Sequence, residues 1–100
     1  MKDSIELNDI NHLKEIIKDI PNDYTLAFEW DDVISKEPNV MVHVAWMNIW
    51  IQPWAWDLVK RNIWELKQFL VEIENDDFDY WLHWDTYIYI DDENKKVIFT

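Results

Sequence analysis

Nine carboxylates crowd the stretch from Glu72 to Glu93, and no lysine or arginine stands among them. They are Glu72, Glu74, Asp76, Asp77, Asp79, Asp85, Asp91, Asp92 and Glu93. Such a surface steers and holds a basic partner. Aromatic residues are interleaved with the acids, as at protein interfaces, and Trp81 is the one placed with them. Trp64 and Val71 add an apolar pair. They lie roughly 160° from the apolar stripe of their helix, so they face solvent as a partner or self-association surface. All of these residues are the expected partner-binding set.

Other constellations are weaker. Asn75, Asp77 and Asp79 have the alternation that opens a calcium loop, but Tyr80 stands where that loop needs Gly and Thr86 where it needs Glu. No metal site is expected. His83 and Asp85 share a strand face and could form an acid–base couple. An imidazole among carboxylates is held as the cation, however, which is a poor base near neutral pH. His12 and His43 stand apart, and a chain without Cys or Gly has neither a thiol nucleophile nor a phosphate-cradling loop. A catalytic residue, a cofactor and an enzyme activity are not expected. Tyr87 and Tyr89, in phase with Trp81, form an aromatic row of the kind that stacks sugars.

Composition narrows the classes. Lys plus Arg is 9 and Asp plus Glu is 21, a net charge of −12, which excludes a non-specific nucleic-acid binder. Hydrophobic residues make up 49% of 100 residues, enough for the core of one domain, residues 1–100. No apolar leader and no run of about 18 apolar residues appears, so neither secretion nor a membrane span is expected and the cytoplasm is the default. Gly is absent and Trp occurs eight times.

Periodicity supplies the elements. Ile10, Leu13, Ile17 and Ile20 predict a helix over 8–20, capped by Asn8 or Asp9 and stopped at Pro21. Alternation predicts a strand over 24–30, then a polar connection to Asn39. Residues 40–51 read as one central strand, with Val40, Val42 and Val44 on one face and Ile49 and Ile51 on the other. Trp56, Val59, Ile63, Leu66, Leu70 and Ile73 predict a helix over 54–74, with Asp57–Arg61 and Arg61–Glu65 pairs. Residues 78–90 form a strand broken near Asp85. Asn94 takes the left-handed position of a turn that leads into a strand with Val97 and Phe99. The expected fold is α+β, an antiparallel sheet of about four strands with two helices packed on it, in the order α-β-β-α-β-β.

The segments Val40–Ala45, Asn62–Leu70, with its L-x-x-F-L core, and Tyr87–Asp91 running into Val97–Phe99 resemble the small acidic immunity proteins of bacterial toxin systems. The resemblance covers roughly residues 24–100. It implies a cytoplasmic inhibitor that binds and blocks a toxin, often a basic nuclease, and carries over no particular residue. Two other classes stand beside it. One is a designed or recoded chain without an evolved partner, since the surplus of Trp roughly matches the missing Gly. The other is a small enzyme or sugar-binding module.

Overall fold

A computed structural model describes residues 4–30, 33–34, 40–52, 58–75, 79–82 and 86–100, with the side chains of Trp30, Ala45, Gln52 and Leu58 excepted. The elements in chain order are β1 (Ile5–Leu7), α1 (Ile10–Ile17), β2 (Thr25–Trp30), β3 (Val33–Ile34), β4 (Val40–Ala45) and β5 (Asn48–Gln52). There follow β6 (Leu58–Lys60), α2 (Ile63–Glu74), β7 (Trp81–Leu82), β8 (Thr86–Asp91) and β9 (Lys96–Phe99). The α+β class with two helices holds, while the single four-stranded antiparallel sheet and its element order are matched only in part. Two mixed sheets form instead, one ordered β1-β8-β9-β2-β3 and the other β6-β4-β5-β7. Each has one parallel pair, β2 with β9 and β5 with β7.

The largest correction lies in residues 40–51. They form an antiparallel hairpin in which Val42 pairs with Ile51 and Val44 with Ile49. Valines and isoleucines that a single strand would set on opposite faces therefore share the core face, and Val40, Val42, Ile49 and Ile51 are all buried. The turn is Trp46-Met47, at φ 50° and 68°. Two positive φ values fit the right-handed twist of a two-residue hairpin, but the residues that favour them are Gly, Asn and Asp. Without these the turn gives no signal in the sequence.

Both helices begin later than periodicity predicts, because their caps set the start. The Asp9 carboxylate accepts from the His12 backbone N–H at 2.8 Å. Asn62 accepts from the Glu65 N–H at 2.9 Å, and the Glu65 carboxylate accepts in return from the Arg61 backbone N–H at 2.6 Å. This reciprocal arrangement resembles a capping box, so Glu65 meets the Arg61 main chain where a side-chain pair was expected. Val59 belongs to β6, and Trp56 and Asp57 lie outside the described residues.

Residues 83–85, where a break in the strand is expected, lie outside the described residues; β7 before them belongs to the four-stranded sheet and β8 after them to the five-stranded one. In the β8–β9 turn, Lys95 takes the left-handed position at φ 55°, not Asn94. Asn94 instead donates to Asp91 from its backbone N–H (3.2 Å) and side-chain amide (2.9 Å).

One hydrophobic cluster joins both helices to the inner faces of both sheets, through residues such as Leu13, Leu26, Val42, Ile63, Leu66, Ile88 and Phe99. On the other face of the five-stranded sheet, Ala27, Tyr89 and Ile98 form a smaller buried cluster.

Candidate functional site

The acids that lie together in sequence separate in space, because α2 and the β8–β9 turn place them. At the start of α2, the Ile63 N–H donates to Tyr24 O (2.9 Å) and the Trp64 N–H to Asn22 O (3.2 Å). Thr25 forms a bridge with Asn62, and its N–H donates to Lys95 O at 3.0 Å. The turn that carries Asp92 and Glu93 is thereby fixed beside the N-terminal end of α2. Glu72 and Glu74 stand in the last turn of that helix, about 16 Å further along at 1.5 Å per residue. The single acidic surface expected from Glu72 to Glu93 is therefore at least two surfaces.

The set at the start of α2 gains a member that the linear clustering could not identify, Asp23. Its exposed carboxylate lies 4.0 Å from Lys95 Nζ. Tyr24 donates its hydroxyl proton to Asp92 Oδ1 at 2.7 Å, and that bond holds the phenol above its usual pKa. Asp92 and Glu93 are exposed. Asp91 is not: at 8% exposure it accepts from Asn94 inside the turn and so shapes the loop. Asp79 is exposed beside β7, while Asp76, Asp77 and Asp85 lie outside the described residues, as do His83 and Trp84. The Asn75-Asp77-Asp79 alternation is thus only partly described.

Trp64 and Val71 are half-exposed on α2, as their helical phase predicts. Lys67 lies between them in the helix. Its ammonium donates to Ile20 O at 2.9 Å, Asn22 Oδ1 at 2.8 Å and Lys18 O at 3.4 Å, which satisfies carbonyls after the end of α1. Val71 also lines a groove of about 260 Å³ between the helices, with Ile17 and Leu70. Lys14 and Lys18 on its rim pair with Glu74 (2.8 Å) and Glu15 (3.1 Å). These lysines already have acceptors, so the groove is not built to bind an anion.

The aromatic row is not assembled. Trp81 lies on β7 in the four-stranded sheet, whereas Tyr87 and Tyr89 lie on β8 in the other. Tyr89 is buried and donates to Glu29 at 2.9 Å. Burial and that bond push its pKa up to about 12. Among the described residues no group of three His, Asp or Glu side chains could hold a metal ion, and no helix is long and apolar enough to cross a membrane. Comparison with known proteins gives no match to a family model, to a curated protein or to a solved structure.

Proposed function

We propose that the chain is a small acidic inhibitor of the immunity type, which binds and blocks a basic protein such as a toxin nuclease through the carboxylates at the start of α2. The observation that carries this reading is the convergence of Asp23, Asp92 and Glu93 on one end of the molecule. Backbone bonds among β2, α2 and the β8–β9 turn hold them there. A rigidly presented set of charges accelerates association and fixes orientation, and its effect fades as salt screens it. The net charge of −12 adds a long-range attraction of the same sign.

The test is titration against a panel of purified basic nuclease domains from bacterial toxins, at low and high salt. Affinity for one of them should fall steeply with salt, chiefly through the association rate. The triple variant Asp23→Asn, Asp92→Asn, Glu93→Gln should weaken it further while keeping the fold, since the amide oxygen introduced by Asp92→Asn still accepts from the Tyr24 hydroxyl. Binding indifferent to salt and to these changes, or no binding across the panel, would retire the proposal.

A further inference from the structure

We infer that the tryptophan positions of this chain are glycine positions, filled by glycine in the cell that makes the protein, through a codon read there as glycine and elsewhere as tryptophan. A chain of this length with average usage holds about seven glycines; this one holds none, and eight tryptophans.

The backbone supplies the second observation. Trp46 opens a two-residue hairpin turn at φ 50°, with Met47 following at 68°. The turn is tight, because Ala45 and Asn48 on either side are still paired. This is the left-handed region, which glycine enters without steric cost and a large side chain does not.

Burial supplies the third. Indoles are on average highly buried and dominate cores and interfaces. Here no described tryptophan is among the buried residues; the core is closed by Ile, Leu, Val, Phe and Tyr. Trp46 is 92% exposed, Trp64 52% and Trp81 46%. Trp50 is half-buried and stacks on His43 on the outer face of the four-stranded sheet, with ring centroids 4.7 Å apart. Contact anchors would gather into one desolvated cluster. Trp64, however, stands in the first turn of α2 beside Asn22, while Trp46 lies at the hairpin tip near β7. None of the four indoles described, Trp46, Trp50, Trp64 and Trp81, enters the core, and one turn is strained by one. The inference is independent of the proposed function: it removes Trp64 and Trp81 from any contact surface and leaves the carboxylates in place.

The test reads the residues directly. An antibody to residues 86–100, which contain no tryptophan, recovers the protein from the cells that make it. Tandem mass spectrometry of its tryptic peptides then reads positions 46, 50, 54 and 56 in the peptide Glu37–Lys60, and position 64 in Asn62–Lys67. Glycine at these positions is the expected result, and tryptophan there would overturn the inference. A second arm compares recombinant chains. The chain with all eight tryptophans replaced by glycine should fold to the same α+β spectrum and melt at a higher temperature than the tryptophan chain. A glycine chain that fails to fold overturns the inference as well.

Discussion

Trp46 shows how one side chain can work against the backbone beneath it. A left-handed conformation costs an L-residue roughly 1–2 kcal/mol, from the clash of Cβ with the following carbonyl. Since Trp46 is almost fully exposed, its ring offsets none of that by burial. Trp46→Gly should therefore raise stability by about 1 kcal/mol, or about 4–8 °C in Tm for a domain of this size. Thermal unfolding followed by circular dichroism measures it, and a lower Tm would show that the indole holds the turn. Tyr89 gives a second prediction at this scale. Its folded-state pKa is raised to about 12, above the 10.0 usual for a phenol. The native state thus keeps a proton that the unfolded chain releases, so the stabilisation is complete below pH 10 and is lost as pH rises toward 12. Urea unfolding across that range should show stability falling, with a shallower fall in Tyr89→Phe. At this scale the sequence was legible where helical phase alone decides exposure, as for Trp64 and Val71. It was not legible where a loop bonds to itself: nothing in the run Asp91-Asp92-Glu93 shows that the first acid turns inward to Asn94 while the other two face water.

The elements follow their caps and turns more than their periodicity. Val59, Ile63, Leu66, Leu70 and Ile73 keep an unbroken 3-4 spacing, yet Val59 lies on a strand, because Asn62 and Glu65 start the helix between it and Ile63. Asn62→Ala removes the acceptor for the Glu65 N–H and should cost about 1 kcal/mol. Asn62→Asp should cost little. A shift in the urea midpoint at constant slope is the expected signature. The other end of α2 carries the opposite error. Glu72 and Glu74 occupy its last turn, where the partial charge is already negative and which carries no base of its own. Glu72→Gln should therefore stabilise the protein by a few tenths of a kcal/mol. That residues 78–90 are too long for one strand could be read from their length, and β7 and β8 do lie in different sheets. The hairpin at Trp46-Met47 could not, since neither of its turn residues is the Gly, Asn or Asp that marks such a turn. Likewise β1 and β3, three and two residues long, are too short for alternation to establish.

At the scale of the whole molecule, two pairings escape sequence reading altogether. The parallel partners β2 and β9 meet from opposite ends of the chain, Leu26 against Val97, with no local pattern to announce it; β5 and β7 do the same, Asn48 against Trp81. The same long-range closure scattered the acids: α2 carries Glu72 and Glu74 away from Asp92 and Glu93, while β2 brings Asp23 to them. What remains common to the molecule is an excess of negative charge that its ion pairs do not relieve. Those described, Lys14–Glu74, Lys18–Glu15 and Lys95–Asp23, involve surface side chains, and such pairs contribute about 0–1 kcal/mol each. Folding gathers 21 acids and 9 bases into one small volume, so self-repulsion grows as the chain compacts. Screening should then stabilise the fold. The Debye length shortens from about 30 Å at 0.01 M salt to about 10 Å at 0.1 M, and the molecule is only 38 × 27 × 21 Å, so at the lower concentration nearly every carboxylate feels nearly every other. Tm should rise with sodium chloride over this interval and level off beyond it. A variant with several exposed acids neutralised should start higher and rise less. A Tm that falls with salt would mean that attractive pairs outweigh the net repulsion, which the three described pairs do not provide for.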